Sequence, residues 1–358
     1  MNAPLHHDLL ILGAGPAGSM AALVAARAGL SVAVIDKARF PRPKICGDCL
    51  HPSVWDIFRR QGLDTSFSLL PHQPLTRLRL SSDFNNPLEF VRSAHPDGQR
   101  AVSRENLDHW LMKEAQQAGA SYFTETTPLS LSLEKNGTLL TDRGEFRGKV
   151  LVGADGRNSW LARVSGLSRP NPRCPRVAWQ TSLDCPGADD AVHMTFFPEG
   201  YFGLARNGTG PANLCMVLRT DSGVHPSEIA ARYFPGSGDL DWHSVHPIAR
   251  APARPSSGNI LLVGDAARVV EPFTGEGIAL ALASGELAGK LSAQAVHHQT
   301  IDRLSLEYQA AHLALYRGLS WQNALTRWLG IHPSWGCRTV RWLGQRPGLA
   351  RRICQPFL

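Results

Sequence analysis

The chain has 358 residues, of which 43% are hydrophobic and 19% are charged, and its formal net charge is +7. These values are typical of a globular protein whose hydrophobic core is large enough for folding without disulfides or bound metals. No uncharged apolar run approaches the ~18 residues of a membrane span. The first residues lack the basic start and the apolar centre of a signal peptide, and the seven cysteines are scattered. We therefore expect a cytoplasmic protein with reduced thiols.

The chain opens with a strand–turn–helix–strand pattern. Residues 8–12 form an apolar run that ends at the glycine-rich stretch "GAGPAG". An alanine-rich helical segment follows and closes at Gly29, before a second apolar strand at 31–36. A glycine-rich turn between a strand and a helix predicts a dinucleotide-binding βαβ unit.

The glycines of this turn have separate physical roles. Gly13 permits the tight turn, Gly15 lets backbone amides approach a pyrophosphate, and Gly18 lets the helix pack on the sheet. Asp36 lies 23 positions after Gly13, counted as 36 − 13, near the spacing of about 20 that is typical of a ribose-binding acid.

The rest of the chain alternates between strands and helices. The pattern predicts a helix at 103–119 with Ser103 as its N-cap, and helices from 276 onward. Strands are predicted at 74–92, 121–152, 176–250 and 259–267.

Three distant stretches together carry a family resemblance: "GAGPAG", "VGADGRNSWLAR" and "ILLVGDAARVVEPFTGEGIALAL". In combination they resemble FAD-dependent monooxygenases of the para-hydroxybenzoate hydroxylase fold group, closest to its geranylgeranyl reductase and halogenase-like branch. The resemblance implies an α/β protein. It has a Rossmann-like FAD-binding domain of the GR2 type, an inserted antiparallel β-sheet substrate domain and a helical C-terminal region. The implied FAD-binding domain consists of residues 1–73, 98–175 and 251–300. The implied substrate domain consists of residues 74–97 and 176–250, and the helical region covers 301–358.

The same resemblance implies FAD as the cofactor and NAD(P)H as its reductant. Asp265 is expected at the ribityl chain, Arg104 at the phosphates or ribityl chain, and the helix that begins near Ile278 at the isoalloxazine ring. No second GxGxxG unit is found, which argues against a separate NAD(P)H domain. The full set of expected FAD-binding residues is Gly13, Gly15, Pro16, Ala17, Gly18, Asp36, Lys37, Cys46, Gly47, Arg104, Asp155, Gly156, Gly264, Asp265, Pro272, Gly275, Gly277 and Ile278.

The stretch "CGDC", residues 46–49, has three interpretations. The favoured one is a backbone turn against the flavin or substrate pocket, and the others are a redox pair and a metal site. A structural zinc needs four ligands, and no second pair is spaced for it, so we expect no metal. Catalytic residues stay unassigned, and the candidates are Cys46, Asp48 and Tyr201.

The C-terminal region is basic and rich in tryptophan. Seven arginines and no acidic residue follow Glu307, and Trp321, Trp328, Trp335 and Trp342 recur every seven residues. We expect two or three short helices whose tryptophans pack on the FAD-binding domain, the alternative being a substrate mouth or partner surface. The arginines favour an acidic carrier protein or a membrane surface as a binding partner, and we do not expect the region to bind nucleic acid.

The expected function is an FAD-dependent oxidoreductase. The first hypothesis is an NAD(P)H- and O2-using monooxygenase that hydroxylates an aromatic or other electron-rich substrate, which includes carrier-tethered molecules and side chains of a partner polypeptide. The second is a flavin-dependent ene-reductase of the geranylgeranyl reductase type. The third is a non-catalytic nucleotide-binding protein.

Overall fold

A computed structural model describes residues 4–82, 87–91, 97–132, 137–170, 174–185, 189–208, 210–237, 239–317 and 320–354. The strands are β1 (Leu5–Leu12), β2 (Val32–Ile35), β3 (Cys49–Leu50), β4 (Gln73–Pro74), β5 (Arg77–Ser81), β6 (Leu88–Val91), β7 (Arg100–Ala101), β8 (Ser121–Phe123), β9 (Pro128–Ser132), β10 (Thr138–Thr141), β11 (Gly144–Gly153), β12 (Arg176–Leu183), β13 (Ala191–Phe197), β14 (Gly200–Arg206), β15 (Ala212–Arg219), β16 (His243–Val245), β17 (Ser256–Ser257) and β18 (Ile260–Leu262).

The helices are α1 (Pro16–Arg27), α2 (Val54–Arg60), α3 (Asp64–Ser68), α4 (Arg104–Gln117), α5 (Trp160–Val164), α6 (Pro226–Tyr233), α7 (Gly277–His297), α8 (Ile301–Leu315), α9 (Ser320–Ile331), α10 (Pro333–Gly344) and α11 (Pro347–Cys354). Short 3₁₀ turns cover Gly264–Ala266 and Pro272–Thr274. The predicted N-cap of α4 is confirmed, since the Ser103 hydroxyl accepts a hydrogen bond from the Asn106 N–H at 3.2 Å.

Within the described residues the strands form sheets of eight, seven and three strands. The first sheet has the order β17-β18-β11-β1-β2-β8, with β10 and β9 attached at β11. Its central pairs are parallel, for example β1 with β2 and with β11. Parallel strands covered on both faces read as continuous apolar runs, which is why residues 8–12 and 31–36 were recognisable.

The second sheet has the order β16-β12-β15-β14-β13-β5-β6 and is antiparallel except where β5 runs parallel to β13. One face packs against α6 through Phe202 and Ile229, and the other face packs against α10 through Phe196 and Val340. The third, small sheet joins β3, β7 and β4. The expected fold class, a Rossmann-like domain combined with a β-rich sheet and C-terminal helices, is confirmed.

Helices α1 and α7 lie against each other on one face of the first sheet. A Cβ atom added at Gly285 would lie 2.2 Å from the carbonyl oxygen of Ala17, and one at Gly289 would lie 2.7 Å from that of Ala21. Only glycine permits this approach, so the two helices are in direct backbone contact.

The C-terminal helices divide between the two large sheets. Helix α8 packs on α7, β17 and β18, whereas α9 and α10 contact strands of the second sheet. The tryptophans were expected to pack on the FAD-binding domain, and the structure corrects this. Gly336 lies over the ring of Phe196 and turns Cys337 and Val340 into the second sheet, so Trp335 faces outward. The side chain of Trp321 lies outside the described residues.

Candidate functional site

One large cavity of about 960 Å³ lies where the carboxyl ends of the first sheet meet the second sheet and the C-terminal helices. Its lining divides into a polar half and an apolar half. The polar half contains the glycine-rich turn and several charged side chains, and the apolar half contains side chains of the second sheet, α9 and α10. Of the residues expected to bind FAD, all except Gly18 line this cavity.

The glycine-rich turn forms the floor of the polar half. A Cβ atom at Gly13, whose φ is +105°, would lie 2.3 Å from the Ala154 carbonyl oxygen, and one at Gly18 would lie 1.9 Å from that of Gly13. Gly15 differs, because a Cβ there would meet only Arg42 Nη2, at 3.7 Å. Gly13 and Gly18 therefore shape the backbone, while Gly15 leaves open space for a ligand.

Two helices begin at this cavity. Helix α1 begins at Pro16 and α7 begins at Gly277, and neither has a side-chain cap or an acidic residue in its first turn. The uncapped amides and the positive dipole end of each helix can therefore face an anionic or electron-rich group. Gly264, with a φ of +53°, lets the turn after β18 approach Ala17 of α1.

Asp36 stands at the carboxyl end of β2. Its Oδ2 accepts a hydrogen bond from the Ala14 N–H and its Oδ1 accepts one from the Ala38 N–H, both at 2.8 Å. The carboxylate is thereby fixed beside the glycine-rich turn, and its remaining lone pairs can accept hydrogen bonds from ribose hydroxyls.

A cationic cluster faces the same half of the cavity. It consists of Arg42, Lys44, Arg104 and Arg157. Arg104 binds the buried carboxylate of Asp108 through two hydrogen bonds of 2.9 and 2.8 Å, and Arg42 approaches that carboxylate at 3.5 Å. Burial, and then the neighbouring arginines, lower the pKa of Lys44. Arg157 also lies 3.9 Å from the carboxylate of Asp265, so the four cations face two carboxylates, Asp108 and Asp265. The remaining positive excess suits a pyrophosphate.

Polar atoms of the cavity wall support the same interpretation. Arg42 Nη1, Arg157 Nε and Asp155 Oδ1 are buried without a partner among the described residues. Asp155 Oδ2 accepts hydrogen bonds from the Trp160 N–H at 2.6 Å and the Leu161 N–H at 3.1 Å, and burial raises the pKa of this carboxyl. Together with the open Gly15 and the two helix N-termini, these groups fit FAD.

Sequence reasoning selected Arg104 from this cluster but missed Arg42, Lys44 and Arg157. The signal that could have found them is their position. Arg42 and Lys44 follow the second strand in "PRPK", and Arg157 follows the Asp155–Gly156 turn. Loops at the carboxyl ends of parallel strands are where ligands bind in such sheets.

The loop of residues 46–49 forms a wall between the two halves. Cys46, Gly47 and Cys49 line the cavity, and the Cys46 carbonyl oxygen accepts hydrogen bonds from Asn213 Nδ2 at 2.7 Å and Cys215 Sγ at 3.0 Å. Among the described residues, no disulfide joins Cys46, Cys49, Cys174, Cys185, Cys215 or Cys337, and no group of His, Cys, Asp and Glu is arranged to hold a metal.

Asp48, a candidate catalytic residue, does not line the cavity. It has a φ of +58°, which turns its side chain away, and its Oδ2 accepts hydrogen bonds from Asn207 at 2.7 Å and Asn213 at 2.8 Å. Burial raises the pKa of Asp48 to about 6. These contacts fasten the loop to β15 and hold the Asp48 side chain outside the cavity lining.

Tyr201, the third candidate, belongs to a buried triad that sequence reasoning did not detect. Its hydroxyl donates to Glu271 Oε1 at 2.9 Å, and Arg176 donates to both oxygens of Glu271 at 2.9 and 3.0 Å. Burial, and then the Glu271 carboxylate, raise the pKa of Tyr201 well above its usual value. The tyrosine ring lines the cavity, while its hydroxyl is held by Glu271.

The triad fixes the loop before α7 to the second sheet. Arg176 begins β12, Tyr201 lies in β14, and Glu271 precedes the 3₁₀ turn that leads to Gly277. Gly330 of α9 covers the triad, because a Cβ atom there would lie 2.6 Å from Arg176 Nη1. The triad thus joins both halves of the cavity to a C-terminal helix.

Among the described residues, no helix combines the length and the apolar character needed to cross a membrane.

Comparisons with known proteins agree with this geometry. Residues 6–193 match the family described as FAD binding domain. Over 315 residues the chain is 31% identical to the menaquinone reductase of Mycolicibacterium smegmatis, covering 79% of this chain and 76% of that protein. It is 28% identical over 323 residues to digeranylgeranylglycerophospholipid reductase 2 of Methanopyrus kandleri, covering 82% and 78%.

A solved structure has the same fold. The structure of pqsL, a probable FAD-dependent monooxygenase from Pseudomonas aeruginosa, superposes with a TM-score of 0.76 at 18% identity, covering 94% of this chain and 99% of that one. The predicted family resemblance, the fold and the enzymatic character are thus confirmed, and the non-catalytic alternative falls away. The chain belongs to the FAD-binding domain family and is an FAD-dependent oxidoreductase.

Proposed function

We propose that the protein is a flavin-dependent reductase that saturates a carbon–carbon double bond in a long apolar lipid of the isoprenoid type. This was the second hypothesis from the sequence. The observation that carries it is the chemistry of the apolar half of the cavity.

The apolar half is formed by aliphatic and aromatic side chains. In the described residues its lining contains no Asp, Glu, Lys, Arg or His, since all such residues of the cavity lie in the polar half. The lining comes from the second sheet, the loop before α7, α9 and α10, and includes Leu78, Leu80, Val192, Met194, Phe196, Val217, Phe273, Leu329, Val340 and Leu343. A surface of this kind binds hydrocarbon by excluding water.

The same lining is less suited to the first hypothesis, hydroxylation of a phenol. A phenol is most reactive towards an oxygen donor when a nearby base removes its proton, and a base must lie within hydrogen-bond reach. Among the described residues that line the apolar half, no side chain offers a carboxylate or an imidazole for this task. The names of the two relatives described above are those of reductases of lipid-soluble compounds, which also favours reduction.

Saturation of a double bond adds a hydride to one carbon and a proton to the other. Reduced FAD supplies the hydride when it is bound, and NAD(P)H is the proposed source of those electrons. We assign the proton to the thiol of Cys46, which lines the cavity. Burial raises the pKa of Cys46, so the group is a thiol at neutral pH and holds a proton to donate.

The surroundings of Cys46 suit this role. Its sulfur accepts a hydrogen bond from the Asp48 N–H at 3.4 Å and also interacts with the Arg104 guanidinium. Both contacts stabilise the thiolate that remains after the proton has left. Tyr201 is a poorer donor, because its hydroxyl already donates to Glu271.

The test is anaerobic turnover of the reduced holoenzyme with geranylgeranyl lipids and menaquinones, followed by mass spectrometry. We expect products heavier by two hydrogens. Cys46→Ala should keep its flavin absorbance and lose most of the turnover, while the matched variant Cys49→Ala should keep both. Products that gain an oxygen atom, formed only in air with NAD(P)H, would establish the hydroxylase instead.

A further inference from the structure

The exposed side of α9, α10 and α11 combines tryptophans with arginines. We call it the arginine–tryptophan face and define it by Arg327, Trp328, Trp335, Arg338, Arg341, Trp342, Arg346, Arg351 and Arg352. Trp328, Trp335 and Trp342 are 44%, 50% and 45% exposed. Three half-exposed indoles on two consecutive helices, α9 and α10, form a larger apolar surface than scattered single residues do.

The side chains of this face are arranged as neighbours. The rings of Trp328 and Trp335 lie 6.0 Å apart, although they belong to different helices. The guanidinium of Arg338 lies 5.2 Å from the Trp335 ring centre, and that of Arg346 lies 4.5 Å from the Trp342 ring centre. Cations and indoles therefore alternate along the surface.

The charge of this face is uncompensated. No acidic residue follows Glu307 in the sequence, and in the described part of the chain none of the six arginines of the face forms an ion pair. The polar contacts of Arg341 and Arg346 are with the Ser82 hydroxyl and the Trp342 carbonyl oxygen. The face thus presents positive charge to whatever covers it.

The face also adjoins the cavity. Trp328 and Trp342 line the apolar half while remaining partly exposed at the surface. A molecule that enters or leaves the apolar half at this side passes between the two indoles and the neighbouring arginines.

We propose that the arginine–tryptophan face docks on an anionic membrane surface and opens the apolar half of the cavity towards the lipid. Indole rings favour the boundary between headgroups and hydrocarbon, and arginines bind lipid phosphates. Short amphipathic helices with basic and aromatic residues are typical of proteins that lie on a membrane. This inference extends the proposed function, but its test measures binding without turnover, so either idea can fail alone.

The experiment is co-sedimentation of the holoenzyme with two kinds of vesicles, phosphatidylcholine alone and phosphatidylcholine with phosphatidylglycerol. We expect binding to the second kind, weakened by salt. The triple variant Arg338→Gln, Arg346→Gln, Arg351→Gln should bind roughly a hundredfold more weakly, since each basic side chain near such a surface contributes roughly a factor of five. Trp335→Ser, at a residue outside the cavity lining, should also weaken binding.

The matched control is Arg143→Gln, Lys290→Gln, Arg303→Gln, which removes the same charge from exposed positions outside α9–α11 and should bind like the wild type. Retained flavin absorbance shows that each variant is folded. Equal binding to both kinds of vesicles, or a triple variant that binds as tightly as the control, would overturn the proposal. So would failure to bind either kind while a soluble acidic carrier protein is bound.

Discussion

Replacing Glu271 by Gln should lower the free energy of unfolding by about 3–5 kcal/mol, the range for removing one partner of a buried ion pair. The side chains of Arg176 and Glu271 are only 1% and 2% exposed, so solvent does not screen the pair. Gln has nearly the same shape as Glu, so no void forms. The loss therefore reflects the guanidinium charge of Arg176, which stays buried without its counterion.

Two further variants separate charge from packing. Tyr201→Phe removes a single hydrogen bond to the carboxylate and should cost about 1.5–3 kcal/mol. The double variant Arg176→Met, Glu271→Leu removes both charges, and apolar replacement of a buried pair is often neutral or stabilising. We therefore expect the double variant to be more stable than Glu271→Gln alone.

The assay is urea unfolding followed by far-ultraviolet circular dichroism and by flavin fluorescence, with each variant compared with the wild type. A change of less than about 1 kcal/mol in the free energy of unfolding for Glu271→Gln, the value expected of an exposed pair, would contradict this prediction. A double variant as unstable as Glu271→Gln would contradict it as well.

Three other changes probe the loop, the turn and the helix contact. Burial raises the pKa of Asp48 to about 6, so the folded protein holds a proton that the unfolded chain releases near pH ~3.9. The free energy of unfolding of the wild type, measured in urea relative to Asp48→Asn, should therefore fall by roughly 3 kcal/mol as the pH rises between these two pKa values, and stay level above them. A difference between the two proteins that does not change with pH would contradict the raised pKa. The Gly15→Val protein should be folded when purified but show no flavin absorbance, whereas the Gly18→Ala protein should lose both its flavin absorbance and thermal stability. Flavin bound to the Gly15→Val protein would exclude the proposed phosphate position. Gly330→Ala should lower the free energy of unfolding by about 1–3 kcal/mol, because the added methyl group overlaps Arg176. Thermal unfolding measures this loss, and an unchanged melting temperature would contradict it by showing that α9 shifts freely.

The nucleotide-binding half of the fold could be predicted because its signals are local. Strand β1, the turn at Gly13 and helix α1 follow one another directly, and each has its own pattern of apolar residues or glycines. The later stretches at Asp155 and Asp265 were placed through the resemblance, and the structure brings them to the same cavity.

The triad could not be predicted in this way. Arg176 and Tyr201 lie 95 and 70 residues from Glu271, and a single charged residue in a loop gives no periodic signal. Its members meet only because β12, β14 and the loop before α7 converge in the fold. Asp48 shows another limit, since its left-handed backbone conformation decides which way the carboxylate points.

The spacing of the tryptophans predicts which of them share one side of a helix, but not which sheet the opposite side of that helix packs against. A repeat of seven predicts that Trp335 and Trp342 share one side of a helix, which the structure shows. Which sheet the opposite side covers depends on Gly336, whose missing side chain admits the ring of Phe196. That contact is specific to the packed structure and leaves no trace in the spacing.

The direct backbone contact between α1 and α7 sets an order of events during synthesis. The ribosome delivers α1 first and α7 only after the strands of the second sheet have emerged. Until Gly285 and Gly289 leave the exit tunnel, the side of α1 that packs on α7 stays exposed to solvent and can bind chaperones. We therefore expect the cofactor to bind late during synthesis, and a chain that ends before α7 to bind no flavin.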